Sequence, residues 1–327
     1  MRADPPTRIE LPAPAKVNLG LRVLGRRPDG YHLLESLFVP LDLADEVSVE
    51  VLSGVPSTAP GVALSLEVRD APVGPGEIPG GDENLAVRAA RAFLEAARLD
   101  GVSLEVRLGK RIPAAAGLGG GSSDAGAVLR ALARLFPGAL PGGEVVRLAL
   151  GLGADVPFFL DPRPALVSGV GETIEPVEGV PGLVLVLANP GESLATAEVY
   201  STFDELRPSL TPVGAGSTMR ALSGLRSDPN AFAKLFETLL ENDLEPAAVR
   251  LCPPIARLRE RLRVAGALVT GMSGSGATVF GLFPDEVAAE RALARAAFET
   301  ATWTEIVRTV GSSRSGGIAE DTPRSIA

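Results

Sequence analysis

The hydrophobic pattern breaks the chain into alternating strand-like and helical stretches. In residues 14–24 (PAKVNLGLRVL), Val17, Leu19, Leu21 and Val23 fall on one side, and Lys16, Asn18, Gly20 and Arg22 on the other. That period of two predicts a half-buried strand. RRPDGY follows as a turn, because proline fixes φ, aspartate bonds its own backbone and glycine tolerates positive φ. Shorter alternating runs predict strands at 46–52 (EVSVEVL), near VALSLEV inside the glycine- and proline-rich stretch 53–82, and at 102–108 (VSLEVRL). Apolar positions at helical spacing predict a helix over 83–99. A second begins near Ser122 and stops at Pro137 and Gly138, and a third covers EVVRLALGLG before ADVPFFLD.

The second half has its own order. LVLVLAN (183–189) is short enough for a buried strand, and 204–243 is expected to be helical around a polar loop. EPAAVRLCPPIARLRERLRVAG is a helical pair interrupted by Pro253 and Pro254. ALVTGM and ATVFGLF are strands flanking SGSG, DEVAAERALARAAFE is a helix, and TEIVRTV is a last strand. Strand, helix, two adjacent strands, helix, strand is the split βαβ order of a ferredoxin-like domain. The expectation is an α+β chain with a first domain over 1–172 and a second over 173–311. An aperiodic tail, 312–327, is expected to be mobile.

At 327 residues and 46% hydrophobic content, the chain can bury the cores of two domains. Its net charge of −9 argues against nucleic acid as a partner but leaves room for a small phosphorylated ligand. The single cysteine, Cys252, forms no internal disulfide and suits a reducing cytosol. The single histidine, His32, removes His-rich zinc sites and any mechanism that needs two histidines. MRADPPTRIE lacks the apolar core of a signal peptide. The apolar runs fall far short of the roughly 20 residues that cross a bilayer. These features predict a cytoplasmic protein without a membrane partner.

Residues 113–136 (PAAAGLGGGSSDAGAVLRALARLF) carry the sharpest chemical signal. Gly117, Gly119, Gly120 and Gly121 permit positive φ and close backbone approach. Successive N–H groups can then face one concavity, with the positive end of a helix dipole behind them. Ser122 or Ser123 can cap that helix or turn a hydroxyl toward phosphate or Mg²⁺, and Lys110 and Arg111 bring positive charge nearby. Two familiar phosphate loops fail here. No lysine follows the glycines, and G-x-G-x-x-G breaks at Ser122 or at Asp124. An ordinary turn would need one or two glycines, not four.

The segment PAAAGLGGGSSDAGA resembles the second motif of the kinase superfamily that includes galactokinase, homoserine kinase, mevalonate kinase and phosphomevalonate kinase (GHMP). Residues 14–38 resemble its first motif and 269–283 its third. With GLGADVPFFL (151–160), the resemblance covers about 12–311. Within the superfamily, GRRPDGYHLLESLF and GLGGGSSDA resemble the 4-diphosphocytidyl-2-C-methyl-D-erythritol kinase family. That family phosphorylates the 2-hydroxyl of its substrate with ATP in the non-mevalonate isoprenoid route.

The resemblance implies a first domain like the second domain of ribosomal protein S5 and a ferredoxin-like second domain. It implies Lys16 as the catalytic lysine and Asp155 as the base, with Mg²⁺ bridging the phosphates through ligands left open. It places the ATP phosphates along Pro113, Ala114, Ala115, Ala116, Gly117, Leu118, Gly119, Gly120, Gly121, Ser122 and Ser123, with Lys110 close by. Asn84 matches a position near the adenine, although an N-cap role there is equally open. Asn18, Tyr31, His32, Thr196 and Tyr200 would meet the cytidine diphosphate sugar alcohol, and Gly274, Ser275 and Gly276 would approach its diphosphate or support the glycine loop across the cleft. Tyr31 would stack on the base and His32 bond its edge. The remaining alternatives are a homoserine or mevalonate kinase of the same superfamily, a non-catalytic nucleotide-binding protein on this scaffold, and a dinucleotide oxidoreductase. A monomer or weak homodimer is expected.

Overall fold

The computed structural model describes residues 7–52, 61–68, 78–207, 241–296, 298–299 and 302–311. Strands β1 (Arg8–Arg26) and β2 (His32–Leu52) form a long antiparallel hairpin across the PDG turn, where Gly30 takes φ 93°. The second half of β2 also pairs with β4 (Ser103–Lys110), which β3 (Val62–Val68) joins in parallel. The first half of β2 pairs with β5 (Ala165–Gly169), and β6 (Thr173–Pro176) closes that edge. Helices α1 (Leu85–Ala96), α2 (Gly120–Leu135) and α3 (Gly142–Leu152) supply Phe93, Val128, Leu132 and Ala149 to a core with Val47 and Val106 of the sheet.

The second sheet holds β7 (Val184–Asn189), β8 (Val269–Met272), β9 (Val279–Phe283) and β10 (Trp303–Arg308) in the order β10-β7-β9-β8, all antiparallel. Helices α4 (Thr196–Leu206), α5 (Glu245–Leu251), α6 (Pro254–Val264) and α7 (Glu286–Arg295) connect these strands in the ferredoxin-like order expected from sequence.

β7 explains how the two halves join. Val184, Val186 and Ala188 point into the helix-covered core, whereas Leu185 and Leu187 point into a core shared with Ala15, Val17, Leu19 and Val39 of the first sheet. A strand buried on both faces reads as a continuous apolar run rather than an alternation. That is why LVLVLA carries no polar side.

Several expectations shift. The first strand starts at Arg8, and where half-burial was expected both its faces are buried around Lys16, because two loops cover the polar side. Residues 32–45 were not expected as strand. Their apolar run lacks alternation and contains Pro40, which lies opposite Lys16 where the register slips. β5 and β6 were also not foreseen. Their pairing carries the first sheet to Pro176, so a boundary at 172 divides a hairpin. α2 starts at Gly120, before the serines. Most of the helical stretch expected over 204–243, part of the stretch 53–82, and the tail 312–327 lie outside the described residues.

Candidate active site

Bulges in β1 on either side of Lys16 and Asn18 turn both side chains into one pocket. Lys16 Nζ donates to Asn18 Oδ1 at 2.5 Å, lies 3.4 Å from Asp155 Oδ2 and sits 4.7 Å from the centroid of Phe38. The lysine side chain is only 4% exposed, whereas Asp155 is 34% exposed and opens to the cleft. Asn18 Nδ2 donates to Ser36 Oγ at 2.9 Å, which fixes the amide so that its oxygen faces the ammonium. Asp155 stands just before the tight helical turn Val156–Leu160, whose Val156, Phe158 and Phe159 are buried anchors.

The glycine loop docks directly on this pocket. Lys16 N donates to Leu118 O at 2.9 Å. Gly117 (φ 76°) leaves no space for a side chain: a Cβ would lie 2.5 Å from Ser273 O and 2.8 Å from Gly276 O. Ser273 Oγ donates to Gly117 O at 3.0 Å and accepts from Asn18 N at 3.2 Å. The loop between β8 and β9 therefore braces the glycine loop across the cleft. Gly119, at φ 74°, is the N-cap of α2, whose first-turn N–H groups have no partner within the helix. Ser122 is half-buried on that turn; Ser123 is fully buried, so its hydroxyl is closed to a ligand.

Lys110 lands away from the phosphates, and Asn84 takes the N-cap role left open for it. Lys110 is buried, and its ammonium is bound at 2.5 Å by both Asp45 Oδ2 and Asp124 Oδ2, so it is not aimed at phosphate. Burial works against its charge, but the two carboxylates prevail and raise its pKa. Asn84 caps α1, with Oδ1 accepting from Ala86 N and Nδ2 donating to Pro79 O, each at 2.9 Å. α1 still begins beside the loop, with Leu85 Cδ1 3.7 Å from where a Gly121 Cβ would stand.

From Asp155 the pocket widens into an open cleft of about 870 Å³ that reaches Tyr31, His32, Thr196 and Tyr200. The inner cavity around Lys16, Asn18, Gly117, Gly119 and Gly274 measures about 240 Å³ and shares Asp155, Thr196 and Tyr200 with the cleft. His32 stacks on Tyr200 with centroids 4.6 Å apart, and its Nε2 lies 2.7 Å from Asp204 Oδ1. Arg26 Nη1 holds the other oxygen of Asp204 at 3.0 Å. Burial, with Asp155 adding to it, pushes the Tyr200 phenol up to about 12. Tyr31 is 66% exposed at the rim. Thr196 Oγ1 and Ser275 Oγ meet at 3.0 Å across the mouth. Gly274 and Gly276 are buried beneath that contact, and Gly274 lacks a side chain that would crowd Asn18 and Lys16.

The structure adds residues that the motifs did not single out. Asn242 Nδ2 donates to Met272 O at 2.9 Å and to Gly274 O at 2.8 Å, fixing the loop that carries Ser273. Asp243 Oδ2 accepts from Val23 N at 2.9 Å and ties the same segment to β1. Polar pairs before a helix are common as caps, and END before LEPAA carried only that signal. Asp204 could not be linked to His32 because 172 positions separate them.

Residues 84–161 match the family described as GHMP kinases N terminal domain, and residues 219–300 match GHMP kinases C terminal. The chain is 39% identical to the 4-diphosphocytidyl-2-C-methyl-D-erythritol kinase of Citrifermentans bemidjiense, over 93% of this chain and 99% of the relative. It is 42% identical to the same-named protein of Deinococcus radiodurans, over 93% of this chain and 95% of that one. A crystal structure of 4-(cytidine 5'-diphospho)-2C-methyl-D-erythritol kinase superposes with a TM-score of 0.70 at 38% identity, covering 93% of this chain and all of the other. Homoserine kinase from Cytophaga hutchinsonii shares the fold, with a TM-score of 0.67 at 19% identity, over 95% of this chain and 97% of the other.

Proposed function

This chain belongs to the 4-diphosphocytidyl-2-C-methyl-D-erythritol kinase family of the GHMP kinases. We propose that it transfers the γ-phosphoryl group of ATP to the 2-hydroxyl of 4-diphosphocytidyl-2-C-methyl-D-erythritol, a step toward isoprenoid precursors. The observation that carries the reading is the placement of Lys16 and Asp155, 3.4 Å apart, where the glycine loop meets the cleft of Tyr31, His32 and Tyr200.

Phosphoryl transfer needs positioning and charge stabilisation more than covalent help from the protein. The half-buried carboxylate of Asp155, open to the cleft, takes the proton of the 2-hydroxyl as the hydroxyl oxygen bonds to the γ-phosphorus, and the bond from that phosphorus to the β-phosphate oxygen breaks to release ADP. Lys16, locked by Asn18, orients that carboxylate and puts a cation beside the transferring group. The backbone of residues 117–121 and the first turn of α2 hold the phosphates. The cytidine lies in the cleft, with Tyr31 and Tyr200 offering faces and His32 an edge.

Among the described residues there is no cluster of three acids, histidines or cysteines that would cage a metal. Mg²⁺ suits this arrangement, because it keeps several waters and takes one or two protein oxygens beside nucleotide phosphates. The half-buried Ser122 hydroxyl would offer one such oxygen, and bound Mg²⁺ would neutralise phosphate charge. No helix among the described residues is long and apolar enough to cross a membrane. A cytoplasmic monomer or weak homodimer is part of this proposal.

ADP release with ATP and Mg²⁺ is to be measured against a panel of the diphosphocytidyl methylerythritol, homoserine and mevalonate. Turnover with the first alone is the expected result; turnover with either of the others in its place would overturn the assignment.

A further inference from the structure

Beneath the glycine loop lies a charged cluster that the phosphoryl transfer does not use. Lys110 ends β4, where the chain enters the loop, and Asp124 lies on α2, by which the chain leaves it. Lys110 Nζ binds both Asp124 Oδ2 and Asp45 Oδ2 at 2.5 Å. The other oxygen of Asp45 accepts the N–H groups of Arg111 at 2.6 Å and Ile112 at 2.9 Å, the first two residues after β4. One carboxylate on β2 therefore holds the entry backbone and, through the lysine, the helix at the exit. All three side chains are no more than 5% exposed.

Stability alone does not account for this arrangement. A buried ion cluster is commonly matched or exceeded in stability by apolar residues of the same volume. This one also leaves Asp124 Oδ1 and the neighbouring Ser123 Oγ buried without a hydrogen-bond partner. Its use lies in geometry. The cradle works only if several N–H groups converge, and convergence requires both ends of the loop to be fixed against the same strand.

We infer that Asp45, Lys110 and Asp124 are positioning residues for the nucleotide, a buried clamp that sets the aim of the glycine loop. The inference rests on residues 117–123 being the cradle of the ATP phosphates.

The test uses the full chain, with ATP affinity by calorimetry and KM measured for each substrate. Lys110→Met leaves the two carboxylates facing each other and should raise KM for ATP about tenfold, with the acceptor KM unchanged. Asp124→Asn keeps an oxygen for Lys110 and should hold both KM values near wild type. Asp124→Ala frees α2 while keeping the Lys110 and Asp45 pair whole; it is the variant expected to fold if Lys110→Met does not, and it should raise KM for ATP alone. Equal rises in both KM values, or an unchanged KM for ATP, in Lys110→Met or Asp124→Ala would overturn the clamp. A wild-type chain that binds no ATP would instead remove the cradle on which the inference stands.

Discussion

Gly117 and Gly121 sit four residues apart in the same loop, yet adding one methyl group to each should do opposite things. At Gly117 the new Cβ would lie 2.5 Å and 2.8 Å from two backbone oxygens, Ser273 O and Gly276 O, with φ at 76°. The left-handed conformation costs an alanine about 1–2 kcal/mol. Forcing the braced loop apart costs about 1–3 kcal/mol more. Gly117→Ala should thus lose about 2–5 kcal/mol, at roughly 2–4 °C per kcal/mol in apparent Tm. At Gly121 the nearest atom would be Leu85 Cδ1 at 3.7 Å, and the residue is exposed on the first turn of α2. Alanine there relieves up to about 1 kcal/mol of glycine's helical penalty, so Tm should hold or rise. The same methyl group, however, occupies the surface that the phosphates are to approach. Thermal melting and steady-state kinetics separate the two effects: Gly117→Ala lowers Tm, and Gly121→Ala keeps Tm but raises KM for ATP. An unchanged Tm in the first variant would refute the packing argument. An unchanged ATP KM in the second would refute the cradle.

Three further outcomes are expected. Asn242→Ala leaves the Met272 and Gly274 carbonyls without their shared donor. At about 1–3 kcal/mol for an unsatisfied buried group, it should lower both Tm and kcat, checked by melting and turnover. Tyr31→Ala removes a 66%-exposed ring, so Tm should stay put; KM for the cytidine substrate should rise far more than KM for ATP, and equal rises would refute the stacking role. Asp204→Asn takes the carboxylate from His32 Nε2 and should raise the acceptor KM, with ATP binding by calorimetry unaltered.

Much of this was legible along the chain, and the limits have physical causes. The order of strands in the second half follows from periodicity because each strand is short and bounded by glycine, proline or a helix. The first half hid its longest strand, β2, because burial on both faces erases alternation and Pro40 sits at a slip in register. Lys16 and Asn18 were correctly placed on one face, but a period of two cannot distinguish a solvated face from one roofed by the loops at Gly117 and Ser273. Lys110 misled for a related reason. A lysine beside a glycine loop looks free until Asp45, 65 positions away, is brought beneath it. Pairings of this range, including His32 with Asp204, are decided by topology and leave no local trace.

The central claim is that Asp155 takes the proton of the acceptor hydroxyl while Lys16 holds it in place. Turnover of Asp155→Asn, measured on protein whose Tm matches wild type, tests it most directly. The account predicts a fall in kcat of about 10²–10⁴-fold, with KM for ATP little changed. A folded variant that retains near wild-type kcat would contradict it.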